Sequence, residues 1–583
     1  MNLIQFLKET DQYAAQMSRE QMLAFIHEYG RTLPEVHRND FLSLLKAYTA
    51  ADLSAVHSLQ GNHTLQDKIS NIKSQLEKIQ TGEFFLDSYL NEEYDDWYDS
   101  SRDEFIFEDP HHIKNILSKT VQIIHDCIDQ EEFDEAYVLS QILMSLKIHV
   151  EGAYMDYCND ILTLPEFSDY HPDTFPVNSL ILNALYAAYK CSESQKRILD
   201  IYQIICQWES EKITLEALMQ HSAGELEDFP EFIRDFVAYI GKQNSKISQR
   251  LLKEAFSLLQ DPDFILDAAR QNVKTHPEIY IEILDKYSKM KLYKKGVEIG
   301  QEALTKIAPY KTIRAKAALI TADHALKLCE TNIAQDCWLE AFRSHSTMTN
   351  YLRLAVESKD YVSYESTIVS IHTPPGNQKP FKTTPFFYTD NQENYMDRNI
   401  YFGIRFLEGH IKEVIAKAMA IKQGLGWSST FMKQGLCLCL LFLYQGSVPS
   451  PAVHSILSKL CTSFSFVDQE YTQGTGLTNT GSEALFFRCF NVLKSRISPD
   501  SKQEQALQKK VEQWISLRVS SIMEANRRNY YNECAVYVAA LGEVLESRGM
   551  KNARQNMLLT YKQNYPRRRA FHDELRRWGM KDR

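Results

Sequence analysis

Three stretches of this sequence hold side chains whose types and spacing could do chemistry. Cys437-Leu438-Cys439 has the spacing of half a zinc site. A tetrahedral site needs further ligands, and His454 and Cys461 are isolated rather than paired at ligand spacing. Both thiols also sit inside the apolar run 436–444, where cysteine serves as a small hydrophobe. Asp109-Pro110-His111-His112 offers a carboxylate and two imidazoles, a pattern equally ordinary at a helix start. Gly474-Thr475-Gly476 leading to Gly481-Ser482 resembles a phosphate cradle, because small residues there precede a helix whose first amides point outward. It lacks the Gly-Lys-Ser/Thr of a P-loop, so it reads as a loop with Thr480 or Ser482 as helix cap. Metalloprotease, α/β-hydrolase and calcium-loop signatures are missing. The expectation is a chain that is not an enzyme and has no catalytic residues, metal site or cofactor.

Charge gives two further candidates. From Lys551 to Arg583 there are ten Lys/Arg against three Asp/Glu, in a protein of net charge −11. Arg567, Arg568, Arg569, Arg576 and Arg577 stand with Phe571 and Trp578 between them, a mixture suited to phosphate contact and base stacking. The alternative is a helix that closes the array with a polar outer face. Residues 92–109 hold nine acids against the single Arg102. Glu92, Glu93, Asp95, Asp96 and Trp97 lead this acidic-aromatic stretch, which reads either as a solvated loop or as a surface for a basic partner.

These candidates need elements to hold them, and the elements are helical. Glycine (21) and proline (17) are sparse in 583 residues, which favours helix over turn-rich β structure. Cys534, Tyr537, Val538, Leu541 and Leu545 form one apolar stripe; Gly549 ends that helix and Pro566 ends the next. Ser18-Arg19-Glu20-Gln21 is a capping box, followed by Met22, Phe25, Ile26 and Tyr29 at helical spacing. Leu65, Ile69, Ile72, Leu76 and Ile79 mark another helix. Phe133/Ala136, Tyr293/Gly296 and Tyr531/Cys534 repeat one pattern, an aromatic followed three residues later by a small residue. A single helical pair cannot bury both its faces, so the expected fold is all-α: a TPR-like superhelical solenoid of irregular helical hairpins.

Residues 373–394, with four prolines and a glycine, exclude regular helix and mark a boundary or an extended segment. The expected organisation is an N-terminal helical unit (1–82), a first array (83–372), that linker, and a second array (395–583) with a basic cap. Eleven cysteines at irregular spacing point to a reducing compartment, and the opening MNLIQFLKETDQ has no secretory pattern. The longest apolar run, nine residues, is too short to span a bilayer. A soluble, cytoplasmic protein is expected.

The opening 18–45, the segment 109–146 and the ending 530–577 together resemble the helical region that follows the finger in bacterial SWIM zinc-finger proteins. The finger's Cys-x-Cys…Cys-x-His is missing, since no cysteine here is followed by x-His. The resemblance therefore implies only the helical-repeat body, without zinc, as a free-standing partner subunit. The function expected is a scaffold or adaptor that binds a protein or peptide partner. Two others compete: nucleic-acid association through the basic end, and an enzyme whose site is assembled from the loops 373–394 and 471–482.

Overall fold

The computed structural model describes residues 13, 17–32, 65–90, 105–152, 160–170, 175–208, 213–221, 226, 228–259, 261–359, 364–372, 396–497 and 499–581. The chain divides into two compact units, 1–261 and 262–583.

In the first unit the capping box forms as expected. The Gln21 amide donates to Ser18 Oγ at 3.2 Å and the Ser18 amide to Gln21 Oε1 at 2.8 Å, opening α1 (Arg19–Thr32). The stripe behind it is not covered, however: Met22, Phe25 and Tyr29 are exposed. Next come α2 (Leu65–Gln80), strands β1 (Leu86–Leu90) and β2 (Phe105–Glu108), and helices α3 (Ile113–Asp129) and α4 (Phe133–Met144). Strands β3 (Lys147–Gly152) and β4 (Ile161–Thr163) follow, then α5 (Leu164–Tyr170), α6 (Val177–Cys191), α7 (Ser194–Trp208), α8 (Leu215–His221), α9 (Phe229–Ile240) and α10 (Lys246–Leu259).

The four strands form one small sheet in the order β2-β1-β3-β4. β1 pairs antiparallel with β2 and parallel with β3, and β3 pairs antiparallel with β4. This sheet departs from the all-helical expectation. Its cause is local: in β3, Ile148 and Val150 are buried while Lys147 and Glu151 face out, a period of two rather than 3.6. The β1–β3 pair is parallel and spans the α3–α4 hairpin, as a parallel connection requires. Elsewhere the described chain is helical.

The second unit holds α11 (Pro262–Asn272), α12 (Ile279–Lys289), α13 (Tyr293–Lys306), α14 (Ile313–Lys327), α15 (Thr331–Ser344), α16 (Met348–Glu357) and α17 (Glu365–His372). It continues through α18 (Arg398–Leu407), α19 (Ile411–Ala418), α20 (Met432–Leu443), α21 (Pro451–Ser463), α22 (Asp468–Thr472) and α23 (Ser482–Arg496), and ends with α24 (Ser501–Glu524), α25 (Tyr531–Ser547), α26 (Ala553–Asn564) and α27 (Arg569–Arg577). Helices α12, α14 and α16 start 34 and 35 residues apart, close to the 34-residue tetratricopeptide period. Consecutive helices from α11 to α16 pack on one another as hairpins. The linker 373–394 lies outside the described residues, and α17 and α18 on either side of it belong to one unit.

One turn recurs throughout. After α3, α12, α14, α18, α21, α24, α25 and α27, a residue in the left-handed region carries a Schellman closure, with the following amide reaching back to the carbonyl five residues earlier. Glu132 N–H to Cys127 O (2.8 Å), Leu292 N–H to Tyr287 O (2.9 Å) and Glu330 N–H to Ala325 O (2.9 Å) are three such bonds. Glycine fills only three of these positions, Gly409, Gly549 and Gly579; the others hold Glu131, Lys291, Cys329, Ser465 and Asn526.

Helix α25 is the hub of the second unit. Residues from Tyr531 to Leu545 are buried on nearly all sides, against α20, α21, α24, α26 and α27. Its small residues allow this: a Cβ on Gly542 would lie 2.5 Å from the Arg554 side chain. The same device joins α13 to α14, where a Cβ on Gly296 would meet His324 at 1.9 Å and one on Gly300 would meet Thr321 at 1.9 Å. That is the physical content of the aromatic-then-small pattern at Tyr293/Gly296.

Candidate partner-binding surfaces

The five arginines singled out at the basic end have different fates. Arg568 Nη2 donates to the Met523 carbonyl at 2.7 Å, which fastens the start of α27 to α24. Arg576 and Arg577 pair within their own helix with Asp573 and Glu574 at 2.7 and 2.6 Å. Arg567 and Arg569 are exposed and, among the described residues, have no ion-pair or hydrogen-bond partner. The interleaved aromatics are not a stacking platform. Phe571 is fully buried, edge-on to Tyr531 and Tyr561, and Trp578 Nε1 donates to Asn532 at 3.3 Å. α27 thus packs its apolar side on α25, with Arg569 at its start and Arg567 just before it facing outward.

Of the acidic stretch, Glu92, Glu93, Asp95, Asp96 and Trp97 lie outside the described residues. Its last residue, Asp109, accepts the Ile113 and Lys114 amides at 2.7 and 2.9 Å and so caps α3. His111 stacks on Phe84 with ring centroids 5.0 Å apart, and His112 takes a left-handed conformation at the helix entrance. These residues shape a helix start. Cys437 and Cys439 are both buried in the core, and burial pushes the Cys437 thiol up to about 12, far from the thiolate a metal requires.

The glycine-rich loop at 474–482 is docked rather than loose. Trp338 Nε1 donates to the Gly474 carbonyl at 2.6 Å. The buried Arg353 guanidinium binds the carbonyls of Tyr471 and Glu470 and the Asn350 side chain. Tyr471 in turn donates to Glu357 at 2.6 Å. The start of α23 already has its anion: Asp468 accepts the Gly481 amide at 3.0 Å and the Ser482 hydroxyl at 3.2 Å. The cap residue is Gly481, so neither Thr480 nor Ser482 takes the place expected of it.

Two concavities stand out among the described residues of the second unit. The smaller, about 390 Å³, lies among α20, α21 and α25, where Lys433 pairs with Glu533 at 2.5 Å and Lys459 sits 5.3 Å from the Tyr537 ring centroid. The larger, about 990 Å³, runs between α19 and the first half of α24. Its floor is apolar: Phe442, Leu507 and the half-buried Ile411, Ile415 and Ile497. Its rim is charged with both signs, but the signs are unequally available. Glu413 is held by Arg405 at 2.8 Å and Lys417 at 2.9 Å, which keeps its carboxyl down at about 2. Glu504 is held by Arg548 at 2.6 Å, and Asp500 caps α24 by accepting the Gln503 amide at 2.7 Å. Lys412, Lys502 and Lys510 are exposed and, among the described residues, pair with nothing.

None of these groove residues stood out in the sequence. The only available signal was Lys502, Ala506 and Lys510 recurring at four-residue spacing on one face of α24. Nothing along the chain indicated that α19 would stand beside it.

Among the described residues no helix is long and apolar enough to cross a membrane, and no His/Cys/Asp/Glu group is arranged to hold a metal ion. No family model matches the sequence, and no curated protein matches it. Among solved structures, the chain aligns with the crystal structure of the APC/C hetero-tetramer Cut9–Hcn1, at 11% identity over 80% of this chain and 76% of that one. The TM-score of 0.16 is too low for that alignment to carry an argument, so the helical-repeat assignment rests on the hairpins and their period.

Proposed function

We propose that this chain is a non-catalytic helical-repeat scaffold or adaptor that binds a protein or peptide partner. The observation that supports it best is the groove of about 990 Å³ between α19 and α24, an apolar floor with exposed lysines on its rim that pair with nothing among the described residues. A groove between helices offers side-chain pockets without inherent chemistry, which suits recognition. The resemblance to the helical body of SWIM zinc-finger proteins agrees with a free-standing partner subunit. A second reading, nucleic-acid association, draws on the free Arg567 and Arg569 alone.

Affinity capture from native extract, at two salt concentrations and with or without nuclease, separates the two. The scaffold reading expects a stoichiometric protein that survives nuclease. Recovery of nucleic acid alone, lost at high salt and in an Arg567→Ala/Arg569→Ala variant, would overturn it.

A further inference from the structure

We propose that the groove between α19 and α24 receives a short amphipathic segment of a partner protein bearing Asp and Glu beside large apolar side chains. This rests on the scaffold reading and names the class of partner. Size comes first. A groove of about 990 Å³ holds several side chains, and its floor of Phe442, Ile415, Ile497 and Leu507 offers apolar contact rather than hydrogen bonds. The occupant therefore presents apolar side chains inward.

Charge decides the remainder. Every rim acid is already committed within the fold, to Arg405 and Lys417, to Arg548, or to the cap of α24. Among the described residues the three rim lysines have no such commitments. Asp500 keeps its charge at the cap, so one carboxylate stands against three lysines and what the groove offers a partner is net cationic, although both signs line it. The molecule as a whole carries −11, so an acidic segment gains nothing from overall attraction. Affinity for such a segment has to come from these lysines and the floor between them, which makes the interaction local and testable.

The probe is a fluorescein-labelled synthetic amphipathic peptide, Glu and Asp along one face and Leu and Trp along the other, titrated into the full chain by fluorescence anisotropy. A matched peptide has every acid replaced by Gln. Saturable binding is expected, weakened at least about tenfold in a Lys412→Glu/Lys502→Glu/Lys510→Glu variant and similarly for the Gln peptide. A control reversal elsewhere in the unit, Lys289→Glu/Lys294→Glu/Lys295→Glu on the exposed side of α12 and α13, leaves it unchanged. All six lysines are exposed, so folding is retained and circular dichroism verifies it. No binding, equal binding by the groove variant, or equal binding of the Gln peptide each overturns the proposal. If the groove variant still captures the native partner in full, the groove is refuted while the scaffold reading stands.

Discussion

Replacing Gly300 by alanine tests whether the close approach of α13 and α14 is a real constraint of the fold. An alanine Cβ there would lie 1.9 Å from Thr321 Oγ1, 2.6 Å from its Cγ2 and 2.8 Å from its Cβ. Rotating Thr321 moves the first two atoms away but not the third. It also breaks the bond from the Thr321 hydroxyl to the Ala317 carbonyl at 2.7 Å, in a residue fully shielded from water. The helices must therefore separate by several tenths of an ångström. Overpacking of this kind costs up to about 3 kcal/mol, and the helix propensity gained from Gly to Ala returns about 1 kcal/mol. The net expectation is a loss of about 2 kcal/mol, seen as a fall of about 4 °C in the melting transition of a large unit. Differential scanning calorimetry on the full chain reads the shift, and hydrogen exchange localises it to α13 and α14. Thr321→Ala, which removes Oγ1 and Cγ2, recovers about half of the loss in the double variant, because the two sites share one contact. A Gly300→Ala protein that melts at or above the parent temperature would refute the reasoning, since propensity alone would then have won.

Two further outcomes follow from the same structure. Glu408, beside Arg405 with Glu365, Glu413 and His410 nearby, has a buried side chain with one oxygen unbonded, and burial raises its carboxyl to about 7. Ionising it costs more folded than unfolded, so it subtracts stability as pH rises from about 4.5 to about 7; Glu408→Gln gains at most about 3 kcal/mol, absent below about 4.5, growing across that window and constant above it, in melting temperatures measured against pH. Lys291 and Cys329 are exposed residues held in the left-handed region at Schellman turns, so Lys291→Gly and Cys329→Gly each stabilise by about 0.5–1 kcal/mol in the same calorimetric assay. Loss of stability in either would show that their side chains outweigh the backbone strain.

Helices were legible where a stripe and a stop coincided. The stretch from Tyr531 to Arg577 yields α25, a turn at Gly549, α26 and α27, with Pro566 between the last two as its chemistry demands. The capping box at Ser18 was equally plain. The sheet is not legible in the sequence, although β3 alternates strictly, because its strands are short and the surrounding pattern is helical. Most Schellman turns were also hidden: lysine, cysteine, glutamate or serine at that position carries no glycine signal, and tertiary packing imposes the conformation. The arginine cluster looked like one surface in sequence, yet Arg568 turns inward and Phe571 is core. Linear proximity does not say which residues face the neighbouring helix. The groove lysines belong to α19 and α24, about ninety residues apart, and only folding places them on one rim.

The clasp around Arg353 changes what kind of object the second unit is. In a simple repeat array each hairpin touches only its neighbours, so energies add along a line and the ends peel away independently. Here Arg353 on α16 grips carbonyls 117 and 118 residues further on, and Trp338 on α15 grips one 136 residues on. These bonds short-circuit the line. A fragment ending anywhere between 358 and 469 would strand a buried guanidinium with no carbonyls to receive it, a cost of several kcal/mol, about the full stability of a small domain. The smallest autonomous piece of this unit is set by that closure and not by the length of a repeat.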